Sequence, residues 1–392
     1  MDIVLCVTGS IAATETIKLA RELKRQGHVV KAFMSEEACK IIHPNALEFA
    51  TGQSVVIDLT GQIEHVRYSQ VDLILVAPAT ANSISKFAYR IADNPISTLL
   101  ITAYGHDTPI VFVPSMHDSM YDAVSENVEK LKADGITFVN PRMDEGKAKF
   151  PAIEDIVLES VRAVNLDKAR KGEENKLAGK KVLISLGGTY EEIDPIRIIS
   201  NKSSGRMGLE LAKEAFKRGA ELTVLAAKHD VHLPKAFNVI EAESNSLMRE
   251  KIDMLTPSSD IFIATAAISD FAPITREKSK ISSSFDLSLD FKPVGKIIQN
   301  IKKINPDIFL VGFKAEYDIS RDEMISLAKT QMRDAGTDLV VANDVGRKGC
   351  EFGSSTNEVI LVSDEIKDIP LNTKAEIAKA VFDEIENKID FE

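Results

Sequence analysis

Short apolar runs recur along this chain, each closed by a small-residue turn and followed by a longer stretch with one apolar face. Ile3–Val7 is such a run and stops at Thr8-Gly9-Ser10; Ile17, Ala20 and Leu23 then mark one face of a helix ending at Gly27. Val29–Met34, Asp72–Val76 and Pro109–Val113 give further strands. Apolar strands alternating with amphipathic helices predict parallel βαβ units covered on both faces. Their crossovers are right-handed, which leads to a doubly wound, Rossmann-like sheet.

The pattern breaks near Leu166. Residues 167–176 are nearly all charged or polar, with no periodic apolar face. They read as a linker, with the solvated end of a helix as the other reading. Lys181–Leu186 restarts as a strand ending at Gly187-Gly188-Thr189, and strands follow at Leu222–Ala226, Ile261–Ala264, Ile308–Gly312 and Asp338–Val341. Helices are expected over Gly205–Arg218, Arg321–Ala335 and Lys374–Lys388. The expected organisation is α/β: two doubly wound Rossmann-like domains, 1–166 and 181–392, joined by a linker at 167–180.

Composition narrows the class. With 392 residues the chain exceeds one ordinary core, so two or three units are expected. Asp plus Glu number 59 against 48 Lys plus Arg, a net charge of -11. That balance argues against a sequence-independent grip on nucleic acid, which needs a basic face. Cys6, Cys39 and Cys350 are far apart and form no CxxC pair, which fits a reducing, cytoplasmic setting. No stretch approaches the ~20 apolar residues that span a bilayer.

Candidate chemistry begins at the first turn. Gly9 and Ser10 sit where a strand gives way to a helix N-terminus, a place suited to phosphate. Pro78-Ala79-Thr80-Ala81-Asn82, Ser97-Thr98 and Pro114-Ser115-Met116-His117-Asp118-Ser119-Met120-Tyr121 lie beyond strand C-termini or on the segments they feed, where open α/β sheets bind ligands. With the upstream His65, these segments resemble the homo-oligomeric FMN-containing cysteine decarboxylases. The resemblance implies FMN held by Gly9, Ser10, Ser35, Pro78, Thr80, Asn82, Ser97 and Thr98, with His65 catalytic. In that family the flavin oxidises the cysteine thiol to a thioaldehyde, CO2 leaves to give an enethiol, and the reduced flavin returns the electrons. His117 stands where many relatives have Asn for the substrate carboxylate, a role an imidazole also suits. Met120 joins it on the substrate side. The family's flap cysteine has no match in residues 143–151; Lys147 or Lys149 is left as proton donor or solvated loop lysine, and Lys149 is expected to close over the substrate.

The second half carries a longer signature. Asp194-Pro195-Ile196-Arg197-Ile198-Ile199-Ser200-Asn201-Lys202-Ser203-Ser204-Gly205-Arg206-Met207-Gly208 combines hydroxyls, an amide, cations and glycines before a helix, a set that suits phosphate oxygens. It closely resembles the phosphopantothenate–cysteine ligase signature, and three further segments agree in order: Ala264–Phe271, Glu277–Ile281 and Ala342-Asn343-Asp344. The whole chain thus resembles the bifunctional phosphopantothenoylcysteine decarboxylase/phosphopantothenate–cysteine ligase family. The resemblance implies that Asn201 holds and polarises the acyl group, and that Ser203, Ser204, Gly205 and Arg206 bind the acid. Gly187, Gly188, Thr189, Asp270, Phe271, Lys278, Lys280, Asn343 and Asp344 are implied nucleotide contacts, with Lys278 catalytic on the triphosphate and Asp270 on Mg2+. Gln331 and Ala335 fall where relatives carry lysines, with Lys329 and Arg333 close by.

Two reactions follow as expectations. 4'-Phosphopantothenate attacks a nucleoside triphosphate, CTP rather than ATP, and L-cysteine displaces the nucleotide; the product is then decarboxylated. Family decarboxylase domains are trimers and ligase domains dimers, which allows a dodecamer. The alternative is a ligase carrying a non-catalytic, regulatory flavin-binding domain; the acidic or low-complexity tails that mark flavoproteins of the phosphatase-regulator kind are not present.

Overall fold

The computed structural model describes residues 1–144, 147–282 and 287–389, without the side chains of 143, 144 and 147. It divides into two compact units, 1–173 and 174–392.

In the first unit β1 (Asp2–Val7), β2 (Val29–Met34), β3 (Leu73–Ala79), β4 (Ile110–Pro114) and β5 (Thr137–Phe138) form one sheet in the order β2-β1-β3-β4-β5. All its pairings are parallel. β3 is buried along its whole length, so it reads as a continuous apolar run rather than an alternating one. One layer of the core packs Leu5, Leu19, Leu23, Leu47 and Ile156; the other packs Phe33, Phe87, Phe112 and Leu99. The strand order reverses between β1 and β3, and the crevice at their C-terminal ends is where such a sheet takes a ligand.

The helix α1 (Ile153–Arg170) runs into the segment expected as a linker. Its last turn is held by Arg170 and Lys171, which bond Asp167 and Asp107. The solvated-helix-end reading therefore describes 167–170.

The second unit holds an eight-stranded sheet of β6 (Lys181–Leu186), β7 (Glu221–Ala226), β8 (Asn238–Glu241), β9 (Ile261–Ala264), β10 (Phe309–Glu316), β11 (Leu339–Asp344), β12 (Thr356–Val362) and β13 (Ile366–Thr373). Its order is β8-β7-β6-β9-β10-β11-β12-β13. The first six are parallel and the last two antiparallel. The reversal of winding falls between β6 and β9. Helices α2 (Arg206–Lys217), α3 (Arg321–Ala335) and α4 (Lys374–Lys388) cover the sheet; α3 matches its sequence-based limits because Ser320 caps it and Gly336, in the left-handed region, ends it. Two short hairpins, Tyr190–Glu192 with Ile198–Ser200 and Phe271–Pro273 with Phe291–Pro293, complete the unit. No helix among the described residues is long and apolar enough to cross a membrane.

Candidate functional site

At the switch point of the first sheet, Thr8 joins the two central strands. Its buried hydroxyl donates to Pro78 O at 2.7 Å and accepts from Thr80 N at 3.3 Å. Ser10 Oγ donates to Ser115 O at 3.3 Å, tying the turn after β1 to the loop after β4. Gly9 leaves no room for a side chain, since a Cβ would lie 2.4 Å from Glu37 Cβ.

Ser10, Ser115, His117 and Lys149 line one cleft of about 770 Å3, together with Lys18 and Arg142. His117 and Lys149 reach the same cleft because Met116–His117 and Arg142–Asp144 both pair with Lys147–Lys149 in a three-stranded sheet, with Lys149 opposite Arg142. His117 Nδ1 faces Asp118 Oδ1 at 2.7 Å and Ser119 Oγ at 2.9 Å. Met120 is half-exposed nearby in sequence and does not line the cleft. Met143, Asp144 and Lys147 have undescribed side chains, and 145–146 lie outside the described residues.

His65 is not part of that cleft. It lies on the one-turn helix Glu64–Arg67, which packs against the helix Pro95–Gly105. Its Nδ1 is buried without a hydrogen-bond partner, an arrangement that costs free energy unless a ligand or another chain satisfies it. Ile63 and Val66 beside it are exposed apolar residues. Ser97 and Thr98 serve the neighbouring helix: Ser97 Oγ accepts from Asp93 N and Asn94 N, and Thr98 Oγ1 donates to Asn94 O. Ser35 and Thr80 likewise cap helices, whereas Asn82 is exposed.

The cleft's cations and hydroxyls suit an anionic group such as the FMN phosphate, and the orphaned His65 nitrogen suits a polar partner. The residues present therefore fit the flavin in chemistry, although the structure does not gather them around one cavity of a single unit.

The second unit concentrates its candidates. A cavity of about 680 Å3 opens at the C-terminal ends of its central strands. Asn201, Ser203, Ser204, Gly205 and Arg206 line it, as do Asp270 and Asn343. Asn201 is positioned by Nδ2 bonds to Ala267 O and Ile268 O at 3.4 and 3.3 Å. Ser200 Oγ donates to Thr189 O, drawing this loop onto the sheet.

Several expected nucleotide contacts build the cavity instead of lining it. Gly187, with φ of +85°, turns so close to Lys228 that a Cβ would meet its carbonyl oxygen at 2.6 Å. Gly188 N donates to Lys228 O, Thr189 N donates to Ala267 O, and Thr189 Oγ1 accepts from Ser269 N. Asp344 accepts from Asp318 N and Gly346 N, turning the chain after β11. Phe271, Lys278 and Lys280 are exposed and outside the cavity. Their segment is anchored at both ends: Glu277 N donates to Ile193 O, and Ile281 N donates to the carboxylate of buried Asp194. Burial pushes the Asp194 carboxyl up, but donation from Ile196, Ile281 and Arg197 outweighs it and holds the pKa at about 2.

No group of three or more His, Cys, Asp or Glu among the described residues is arranged to hold a metal. Asp270 alone fits Mg2+ that keeps most of its ligands from phosphates and water.

Sequence reasoning missed Lys296, Phe313, Thr330 and Lys374 in the cavity wall. Phe313 lies within the parallel strand β10 and looks like core from its pattern, so no local signal marks it. Gln331 and Ala335, which the resemblance sets where lysines were expected, line the cavity.

The flavoprotein family model matches residues 1–165, and the model for the DNA/pantothenate metabolism flavoprotein C-terminal domain matches 177–389. The chain is 47% identical over 398 residues to the coenzyme A biosynthesis bifunctional protein CoaBC of Thermococcus kodakarensis, covering 99% of this chain and 95% of that protein. Its likeness to the protein of the same name from Methanocaldococcus jannaschii is 37% over 392 residues, with 99% and 94% covered. The Bacillus subtilis counterpart is 33% identical over 404 residues, with 98% and 96% covered. The chain belongs to the family of coenzyme A biosynthesis bifunctional proteins, enzymes that join a decarboxylase domain to a ligase domain.

Proposed function

We propose that the second unit condenses 4'-phosphopantothenate with L-cysteine at the expense of CTP, and that the first unit decarboxylates the product with FMN. The observation that carries this reading is the convergence of Asn201, Ser203–Arg206, Asp270 and Asn343 on one cavity at the switch point of the second sheet.

There the carboxylate of the acid would attack the α-phosphate, releasing pyrophosphate, and the cysteine amine would displace the nucleotide. Asn201 lines the cavity with Nδ2 on Ala267 O and Ile268 O at 3.4 and 3.3 Å; in this reading one of these long bonds gives way when the acid binds, and the freed N–H polarises the acyl oxygen. Asp270 supplies one carboxylate to nucleotide-bound Mg2+. Lys278 rides on a segment pinned at Glu277 and Ile281, so in this reading its long side chain, not a movement of that backbone, would reach toward the triphosphate.

In the first unit, FMN when bound supplies the reversible oxidation that gives the departing carboxylate an electron sink. His117 donates to the substrate carboxylate, Lys149 closes over it, and Ser10 holds the flavin phosphate. His65 manages a proton at the same site. Because it stands apart from the cleft, with Ile63 and Val66 exposed beside it, the reading includes a site completed by a second copy, as in a trimer. Exposed Ile196, Ile198, Ile199, Phe271 and Phe291 on the two hairpins favour a dimer contact in the second unit.

Purified protein should be yellow and release pyrophosphate only with the acid, cysteine, CTP and Mg2+ together, followed by CO2. A colourless protein that stops at the condensed product would remove the decarboxylase half of the reading. Pyrophosphate release with ATP and not CTP would overturn the nucleotide assignment.

A further inference from the structure

Helices α2 and α4 pack against each other. At their C-terminal ends Arg218 bonds Glu386 at 2.7 Å and Asp383 at 2.6 Å. At their N-terminal ends stand Arg206 and Lys374, the first residues of each helix, close enough to repel one another. The helices therefore run in the same direction, and the positive ends of both dipoles point the same way.

That end is electrostatically unbalanced. Lys374 is 9% exposed, and its Nζ donates to Ser354 O. Among the described residues no carboxylate lies within ion-pair distance of Lys374 or Arg206, while Arg218 at the other end has three. The nearby Glu351 carboxylate is committed to Gly349 N and Ser354 Oγ. Burial lowers the lysine pKa first, and Arg206 lowers it further. A buried cation facing a second cation and two helix N-termini is destabilising unless an anion completes it. Both cations line the 680 Å3 cavity, as do Asn201, Ser203 and Ser204.

We propose that Lys374 and Arg206, at the paired N-termini of α2 and α4, form the seat for a phosphomonoester dianion, the phosphate end of the acid substrate. Lys374 is a binding residue outside every sequence motif of the chain. The inference rests on the ligase reading and sharpens it: one end of the acid is held at Lys374, so that its carboxylate end faces Asn201.

The test uses the full-length protein and two readouts. Inorganic phosphate should raise the thermal midpoint of the wild type, and Lys374→Met should abolish most of that rise while Lys374→Arg keeps it. In pyrophosphate release, Lys374→Met should raise KM for 4'-phosphopantothenate about 30-fold, the size of a lost charged contact. KM for cysteine and CTP should change less than twofold, and preference for the phosphorylated over the dephosphorylated acid should fall by the same 30-fold factor. Should Lys374→Met not fold, Arg206→Gln, at an exposed position, should show the same selective loss. Unchanged phosphate protection in the variant, or a KM effect on CTP in place of the acid, would overturn the proposal; the latter assigns the seat to the triphosphate. A wild type that is protected by phosphate yet releases no pyrophosphate keeps the dianion seat, removes the ligase reading, and so overturns the assignment to the acid.

Discussion

The two units of this chain wind their sheets by the same rule and place their chemistry differently. Each reverses strand order beside its first strand and has a cavity or cleft beyond the strand ends. In the second unit, the residues expected to bind and activate the acid share one cavity within a single unit. In the first, Ser10, His117 and Lys149 share a cleft that His65 does not enter, and His65 carries an unsatisfied buried nitrogen. A switch point thus guarantees a crevice, but it does not guarantee that every expected residue reaches it.

His65→Asn offers the largest effect. Loss of a group that manages a proton should lower CO2 release about 10²–10⁴-fold, with pyrophosphate release unchanged. Loss of both activities in a folded protein would break the division of labour between the units. If the site is completed between copies, mixing His65→Asn with a Lys149→Ala protein, each impaired alone, should restore activity in mixed oligomers. Failure to restore it would place both residues on one chain's site.

Asn201→Asp should lower pyrophosphate release about 10²–10³-fold, the cost of removing one donor from a polarised oxygen. CO2 release from supplied 4'-phosphopantothenoylcysteine should persist. Retained condensation would show that Asn201 only shapes its loop.

Stability separates the units next. Gly187→Ala combines a left-handed backbone with a close approach to Lys228 O, and should destabilise the second unit by about 3 kcal/mol. Calorimetry should show the loss confined to one transition; a shift of both would mean that the units unfold together.

The smallest effect is a pH slope. Burial pushes Glu159 up to about 6, with Asp155 adding to the rise and Arg162 opposing it. A raised carboxyl pKa favours the folded state in its protonated form. The stability it contributes is complete below the ordinary value of 4.5 and is lost as pH rises through about 6. That difference is worth about 2 kcal/mol, and Glu159→Gln should flatten the slope in the first unit's transition. An unchanged slope between pH 4.5 and 6.5 would assign it to other groups.

Legibility in the sequence followed burial. Val29–Met34, Lys181–Leu186 and Ile261–Ala264 match their expected limits because strands covered on both faces are nearly continuous apolar runs, broken here only by Lys31, Lys181 and Ser185. β13 was missed, since Ile-Lys-Asp-Ile-Pro-Leu-Asn-Thr is mostly exposed at a sheet edge and lacks a clean alternation. β5 was missed because two residues carry no period. The expected linker from 167 hid a helix end, because its order comes from ion pairs to Asp107, far away in sequence.

Taken alone, the sequence determined the two α/β units, the strand-turn-helix openings and the order of motifs, because each depends on neighbours a few residues apart. Tertiary structure alone decided that Gly187, Gly188 and Thr189 support the cavity that Asn201 and Arg206 line. It also set His65 outside the cleft of Ser10 and brought Lys374 to Arg206. Those relations depend on packing and charge between distant segments, which leave no periodicity along the chain.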